Sequence, residues 1–219
     1  MAGPPAPCNF VANANSMKRL MNLIIMSAVF MQPLFAGAPV SNGFTLVKQA
    51  DNIFLYERWI DAAESGKVRE IKAVFLVRTD VPSIIKLLKD PARGREWNAN
   101  AKDYRVLPLP DANRWISYIQ YDIPWPFDDQ DCCLAFHFQG NEVSFESTHN
   151  AAFPVAAGMQ RITGTKGRWV LENMHSGNVR VTYFITTDRS KKIPRWVSDP
   201  IVHSNLFKTM AQFRKLAGQ

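Results

Sequence analysis

The chain has 219 residues, of which 47% are hydrophobic and 21% charged, and its 26 Lys and Arg against 19 Asp and Glu give a formal charge of +7. This length and apolar content suit one globular domain, and they exclude a collagenous, low-complexity or wholly disordered chain. Three cysteines are too few for a disulfide scaffold, and the lack of an uninterrupted apolar run of about 20 residues excludes a polytopic membrane protein.

The first segment of the chain has the anatomy of a secretory signal peptide. Met17-Lys18-Arg19 supplies a positive start, Leu20 to Met31 is apolar apart from two polar side chains, and Pro33 ends the stretch. Small residues follow at Ala36 and Gly37, so we predict cleavage after Ala36. An uncleaved membrane anchor is the alternative, for which the stretch is short and interrupted by proline.

These signals divide the chain into an N-terminal extension with a signal peptide, residues 1–36, and a domain covering residues 37–219. The first 16 residues carry no charged side chain, which favours Met17 over Met1 as the initiator. Export would place the domain in the periplasm or outside the cell.

The domain is predicted to open with three strands and two helices. Alternating apolar residues indicate strands at 44–49, 53–60 and 68–77. Thr79 to Pro82 combines a capping side chain with a proline whose missing N–H costs nothing in a first turn, so a helix starts there and ends at Asp90-Pro91. A short helical piece carrying Trp97 is predicted around Arg95 to Asn100.

The rest of the domain is antiparallel in character until a long final helix. Strands are predicted at 103–108, 114–123, 131–139, 142–149, 159–163, 168–172 and 179–187. Ser198-Asp199-Pro200 is predicted to cap the last helix, whose apolar stripe consists of Val202, Leu206, Met210, Phe213 and Leu216. The predicted fold class is therefore α+β, with a curved antiparallel sheet closed by one long amphipathic C-terminal helix.

The alternation also predicts which strand residues share a face. Leu134, Phe136 and Phe138 point to one side of their strand, opposite Cys133 and His137. One face of the sheet is thus crowded with aromatic and branched aliphatic side chains. A packed core is the simplest interpretation, and the periodicity does not distinguish a filled core from a hollow one.

A series of short strings in a fixed order resembles one known family. The strings are Glu96-Trp97, Tyr118 to Ile123 followed by Pro124-Trp125-Pro126-Phe127, Asp131, Gln160-Arg161, Gly167 to Leu171, Val179 to Tyr183 and Lys192 to Val197. In this order, ahead of a terminal helix, they resemble the START family of lipid-binding domains over about residues 44–217. The resemblance implies a helix-grip fold, in which the sheet wraps around the C-terminal helix and encloses a hydrophobic tunnel for one lipid. It also implies binding without chemistry, as in a bacterial, exported, non-enzymatic member.

The chain departs from the pattern of that family at two points. START domains usually carry Arg-Asp after the Pro-Trp-Pro loop, whereas this chain has Asp128-Asp129-Gln130-Asp131. Further along that strand, where some sterol and phospholipid binders place a buried Arg, this chain has Phe136. Both differences favour a more apolar ligand.

Strand parity and the resemblance together define the expected ligand tunnel. Its lining is predicted to consist of Tyr118, Leu134, Phe136, Phe138, Phe145, Trp169, Val181, Tyr183, Ile185, Leu206, Met210 and Phe213. Tyr118 and Tyr183 would each offer one orienting hydroxyl. Burial of lipid surface at about 25 cal/mol per Å² is favourable without any reaction. We expect the tunnel to open near the C-terminal helix and the 124–129 loop.

Two surface features suggest where the domain could meet a membrane. Trp125 and Phe127 are predicted to contact a membrane interface transiently, with a turn whose Trp packs on the core as the alternative. A basic patch before the last helix is either a solvated turn or a contact for anionic lipid headgroups. That patch consists of Arg189, Lys191, Lys192 and Arg195. We expect a hydrophobic small molecule as partner, no nucleic acid, and a monomer.

The cysteines and histidines do not form a recognisable chemical site. Cys132 and Cys133 are neighbours on a strand and point to opposite faces, so they cannot ligate one metal from the same side. We interpret them as unpaired thiols. The four histidines show no metal-binding spacing. No cofactor, metal or catalytic residue is therefore predicted.

Two other functions remain open at this point. A helix-grip enzyme, of the cyclase or hydrolase type, would act on a hydrophobic substrate in the same cavity and would need ionisable groups that converge there. The candidates for such groups are Glu57, Asp122, Arg161 and His149. A module whose role is protein contact would instead have a filled tunnel and no ligand.

Overall fold

The structure, a computed structural model, describes residues 43–62, 66–123, 128–186 and 195–219, and of residues 62 and 195–197 the backbone alone. Ten strands within these ranges form one sheet. They are β1 Thr45–Ala50, β2 Ile53–Ala62, β3 Gly66–Arg78, β4 Ala101–Pro108, β5 Arg114–Tyr121, β6 Gln130–Gln139, β7 Glu142–Ser147, β8 Gln160–Ile162, β9 Lys166–Met174 and β10 Asn178–Thr186.

The sheet is antiparallel along its whole path, which runs β1-β2-β3-β10-β9-β7-β6-β5-β4. β8 lies off this path and pairs in parallel with the first three residues of β6, ahead of the point where β7 joins that strand. The two outermost strands each contain a register shift, between Leu46 and Lys48 in β1 and between Ala101 and Asp103 in β4. All ten predicted strands are present, with ends within two residues of their predicted positions.

Two short helices follow β3. In α1, Val81–Leu88, the Asp80 carboxylate accepts a hydrogen bond from the Ser83 amide at 2.8 Å, as expected of a capping residue. In α2, Pro91–Trp97, the Asp90 carboxylate caps the helix by accepting hydrogen bonds from the amides of Ala92 and Arg93. The predicted start of α2 at Arg95 is therefore wrong. Asp90-Pro91 indicates the end of α1, but an acidic capping residue followed by proline also indicates the start of a new helix.

The C-terminal helix α3, Arg195–Ala217, begins earlier than predicted. Ser198-Asp199-Pro200 does not cap it, because Pro200 lies within the helix. Pro200 lacks the N–H that would bond the carbonyl of residue 196 and crowds that carbonyl, yet the helix continues through it. The predicted apolar stripe is buried most deeply towards the C-terminus, where Phe213 is fully buried, whereas Val202 is 36% exposed.

The core lies between the three helices and one side of the sheet, which is called the inner face below. From the sheet it contains residues such as Leu55, Phe75 and Val181. From the helices it contains residues such as Leu88 of α1, Trp97 of α2, and Met210 and Phe213 of α3. A smaller cluster of Ile116, Tyr118, Cys133 and Phe153 lies on the other side of the sheet, the outer face. The predicted separation of Phe136 and Cys133 onto opposite faces is confirmed.

Candidate functional site

The inner face carries a continuous series of aromatic contacts from β5 to α3. Ring centroids are 5.1 Å apart between Trp115 and Phe136, 5.2 Å between Phe136 and Phe145, 5.8 Å between Phe145 and Tyr183, 4.5 Å between Tyr183 and Trp169, and 4.7 Å between Trp169 and Phe213. These separations are those of favourable aromatic pairs. The series joins five strands to the C-terminal helix and forms the apolar centre of the inner face.

Eleven of the twelve predicted lining residues belong to the inner-face cluster. The buried members are Leu134, Phe136, Phe145, Trp169, Val181, Tyr183, Met210 and Phe213. The half-buried members, which keep some accessible surface, are Phe138, Ile185 and Leu206. Their common location confirms the strand parity, and their contact with a ligand stays a prediction.

Tyr118 is the exception, because it lies on the outer face. It stacks on Phe153 with ring centroids 5.0 Å apart, and its hydroxyl donates to the Asp131 carboxylate at 2.9 Å. In β5 the inner positions are Trp115 and Ile119, so Tyr118 has the opposite parity. The prediction that Tyr118 lines the same surface as Tyr183 is therefore wrong.

A glycine allows the aromatic series to cross the middle of the sheet. Gly167 in β9 lies between Phe145 on β7 and Ile185 on β10 in one row of paired residues. A Cβ atom at this position would lie 2.5 Å from Cζ of the Phe145 ring and would also meet the carbonyl oxygen of Phe184. The Phe145 ring thus occupies the place of a side chain at Gly167.

The polar groups among these aromatics are uncharged at neutral pH. Burial raises the pKa of Tyr121 and of Tyr183 well above the usual value, and it raises the pKa of the Cys132 thiol to about 12. The hydroxyl of Tyr104 donates to the carbonyl oxygen of Leu88 at 3.0 Å. Tyr121 is half-buried, so it combines a neutral hydroxyl with accessible surface beside the core. Such groups orient a ligand without the desolvation cost of a charge.

One charged cluster lies where β2 and β3 meet α3. Arg69 contacts Asp199 at 2.8 Å and Glu57 at 3.4 Å, and Nε2 of His203 lies 3.1 Å from the Glu57 carboxylate. These four side chains are between 14% and 19% exposed. They tie the first half of α3 to the sheet, and we call them the α3 clamp. Of these four residues the sequence indicated only Glu57 as a candidate for a site, although Asp199 and His203 have the i, i+4 spacing that puts both on one helix face.

The other ionisable candidates for an enzyme do not converge with Glu57. Asp122 and His149 are exposed. Arg161 lies on the outer face, where its guanidinium binds both carboxylate oxygens of Asp131 at 2.6 and 2.9 Å. These four candidates therefore do not provide the convergence of ionisable groups that an enzyme would need.

The Asp131–Arg161 pair fastens β8 to β6. Burial alone would raise the pKa of the Asp131 carboxyl, but hydrogen bonds from Arg161 and Tyr118 outweigh burial and hold that pKa below its usual range. Arg161 also donates to the carbonyl oxygen of Phe153 at 3.1 Å, which holds the segment before β8 against the outer face. Bidentate, buried pairs of this kind have a strongly defined geometry. We interpret this pair as structural.

Cys132 and Cys133 are unpaired, as predicted, and both are buried. Cys132 belongs to the inner cluster and Cys133 to the outer one. Their separation by the sheet agrees with the interpretation that they do not act together.

A cleft of about 650 Å³ opens to the surface beside α1. Its lining includes Ile85 and Phe138 but no residue of α3. The predicted opening near the 124–129 loop involves Trp125 and Phe127, which lie outside the described residues, as do Arg189, Lys191 and Lys192 and the side chain of Arg195. That opening and its membrane contact stay predictions. Within the described ranges, no helix is both long and apolar enough to cross a membrane.

An antiparallel sheet whose inner face packs on a long C-terminal helix defines the START-like helix-grip fold, and this chain has that fold. The solved STAR-related lipid transfer protein of Xanthomonas axonopodis, residues 25–204, is 24% identical with a TM-score of 0.70, over 81% of this chain and all of that fragment. Human STARD10 is 13% identical with a TM-score of 0.65, over 95% of this chain and 80% of that one. The predicted α+β helix-grip class is confirmed.

Two further comparisons bear on function. The ZhuI aromatase/cyclase of Streptomyces is 9% identical with a TM-score of 0.52, over 68% of this chain and 93% of that one, so the fold also occurs in an enzyme. An uncharacterised protein of Pseudomonas aeruginosa is 22% identical over 205 residues, which cover 92% of this chain and 98% of that protein. No family model matches the chain.

Proposed function

We propose that the protein binds a hydrophobic ligand, a lipid or sterol-like molecule, between the inner face and α3, and carries it without chemistry. The observation that supports this proposal is the unbroken aromatic and aliphatic cluster from β5 to α3, in a fold shared with lipid transfer proteins. Half-buried Ile185 and Leu206, with Tyr121, mark where ligand surface would replace water.

The energetics favour an apolar ligand. Each 100 Å² of apolar surface removed from water contributes about 2.5 kcal/mol before the costs of association. The neutral hydroxyls of Tyr121 and Tyr183 would orient a weakly polar end, such as a sterol hydroxyl. Phe136 stands in the cluster where some family members would place a buried Arg, and this fits a ligand without a strongly charged headgroup.

We also propose export by the signal peptide in residues 1–36, with the domain acting in the periplasm or outside the cell as a monomer. Transient membrane contact through Trp125 and Phe127 would then load or unload the ligand. The support for this part is the sequence pattern.

The test is native purification, organic extraction and mass spectrometry against a matched mock preparation. A stoichiometric lipid is expected with the wild-type protein. Ile185→Trp should fill the space beside α3 and remove the lipid, whereas Leu76→Trp, at a 53% exposed position of β3 outside the inner cluster, should retain it. Equal lipid in both variants, or none in the wild type under loading with a lipid mixture, would overturn the proposal.

The α3 clamp favours one alternative, an enzyme of the helix-grip type. The Glu57–His203 contact at 3.1 Å is an acid–base pair at the edge of the inner face. For this alternative the lipid recovered from Glu57→Gln would differ in mass from the lipid recovered from the wild type, as a substrate differs from its product. The same lipid in both proteins supports the carrier.

A further inference from the structure

The cleft beside α1 shares Phe138 with the predicted lining of the inner face, but no residue of α3 contributes to it. It lies between α1 and the end of β6, and the turns after α1 and before β5 complete it. Its lining consists of Val81, Pro82, Ile85, Lys86, Lys89, Asp90, Asn113 and Phe138. A volume of about 650 Å³ is within the usual range for small-molecule sites.

One wall of the cleft is apolar. Val81, Pro82 and Ile85 are spaced so that they lie together on one side of α1. Ile84 and Leu88, on the adjoining side of the helix, are buried in the core. Phe138, half-buried at the end of β6, faces these residues across the cleft. A hydrocarbon chain would therefore have apolar contacts on two sides.

The rim of the cleft is cationic. Lys86 is exposed and forms no ion pair within the described part of the chain. The Lys89 ammonium donates to the carbonyl oxygen of Ala112 at 2.6 Å and lies 4.6 Å from the Trp115 ring centroid, which fixes its position. Two of its three N–H groups remain for a ligand.

The one carboxylate in the lining is already engaged. Oδ1 of Asp90 accepts hydrogen bonds from the amides of Ala92 and Arg93 at 2.9 and 3.1 Å, at the start of α2. Asn113 adds a neutral amide side chain to the lining. The lining thus contains two ammonium groups and one amide, and its single carboxylate already accepts hydrogen bonds from backbone amides.

We propose that this cleft is a second binding site, for an amphipathic carboxylate such as a long-chain fatty acid. The hydrocarbon chain would lie against α1 and Phe138, and the carboxylate would bind Lys86 and Lys89 at the rim. Electrostatic complementarity selects an anionic head over a neutral or cationic one of the same chain length. This site goes beyond the carrier function, because its lining contains no residue of α3 and shares only Phe138 with the predicted lining of the inner face.

The test compares dodecanoate with dodecyltrimethylammonium, both below their micelle concentrations, by NMR titration of the purified protein. Dodecanoate should shift the signals of Ile85 and Phe138, and the cation should not. Lys86→Glu should weaken dodecanoate binding by about fivefold or more, since it replaces an attractive charge by a repulsive one. Lys215→Glu is the matched control, because Lys215 is also exposed and in the last turn of a helix, and it should leave binding unchanged.

Further variants separate the cleft from the inner-face ligand. Ile185→Trp should retain dodecanoate binding if the acid occupies the cleft, whatever its effect on a co-purified lipid. Loss of binding in Ile185→Trp with no effect of Lys86→Glu would place the acid on the inner face and overturn the cleft proposal alone. Equal binding of the anion and the cation, or no binding of dodecanoate, would also overturn it. Lys86→Met removes the charge without reversing it, so it tests the same contact if the Glu variant misfolds. It should weaken dodecanoate binding less than Lys86→Glu does.

Discussion

At the scale of single residues, Gly167 and Tyr118 show what alternation in a strand does and does not determine. The face of Phe136 or Tyr183 followed from parity, because the stretch of strand around each of them buries one side more deeply than the other. β5 buries both sides, with Trp115 and Ile119 inward and Tyr118 outward, so the apolar pattern there gives no parity. Gly167 was part of a family-like string, yet nothing in the sequence shows that a ring from β7 covers it.

Gly167→Ala tests the close approach of the Phe145 ring. The new methyl group would overlap both that ring and the Phe184 carbonyl oxygen, so the sheet must shift. We expect a loss of about 1–3 kcal/mol in the free energy of unfolding, as for other overpacked sites. Urea denaturation with an unchanged m-value would measure it.

The control is Gly218→Ala, where the added Cβ atom would have an ordinary contact of 3.4 Å with the Arg214 carbonyl oxygen. That change should stay within about 0.5 kcal/mol. Equal stabilities for the two variants would show that the Phe145 ring moves aside without cost.

At the scale of elements, the strands were easier to predict than the helix ends. Ten strands followed from alternation and turn residues, because each strand is defined by local pattern. The starts of α2 and α3 differ from their predicted positions. Asp-Pro and Ser-Asp-Pro sequences occur both at the end and at the start of helices, so they do not determine whether the helix precedes or follows them. The α3 clamp was not predicted from the sequence, because it joins Glu57 and Arg69 of the sheet to helix residues more than 100 positions away.

Arg69→Met tests whether the α3 clamp holds the first half of the C-terminal helix. The variant leaves Glu57 and Asp199 without the cation between them, so the helix should open locally more often. We expect hydrogen exchange of amides in residues 199–206 to accelerate by about threefold or more. Amides around Met210 and Phe213 should keep their protection, because those side chains are anchored in the core.

Arg180→Met is the control for this experiment, since it removes an exposed pair with Glu172 between β10 and β9. It should leave α3 unchanged. Acceleration spread evenly over α3 in Arg69→Met would indicate global destabilisation and contradict a local clamp.

At the scale of the whole molecule, the sequence predicted the architecture but not the shape of its cavities. The periodicity predicts the C-terminal helix, the sheet and its inner face. The ordered strings that resemble the START family narrow the choice among folds of this class. The cleft beside α1 depends on how far that helix stands from Phe138, a distance that no pattern encodes. Its position away from α3 could therefore be learned only from the structure.

The buried phenols make the stability of the whole fold sensitive to alkali. Burial raises the pKa of Tyr104, Tyr118, Tyr121 and Tyr183 above that of an unfolded chain, which is about 10. Their contribution to stability is therefore complete below about pH 10 and is lost as pH rises towards the folded-state pKa values.

Alkaline titration followed by phenolate absorbance and circular dichroism checks this expectation. Phenolate should form late, together with the loss of secondary structure. Tyr183→Phe should reduce the rise in phenolate absorbance at high pH by the amount of one phenol. The rise near pH 10 should stay unchanged. Ionisation of all phenols while the fold persists would contradict their burial.

The register shifts in the outermost strands have a consequence for association. An edge strand offers unpaired backbone groups to any passing strand, and a sheet of ten strands would otherwise be a template at both ends. In β1 and β4 the bulges interrupt the spacing of those groups, and β4 adds the charges of Lys102 and Arg105 and a terminal Pro108. Further copies of the chain would thus meet an interrupted ladder at either edge, which disfavours edge-to-edge association.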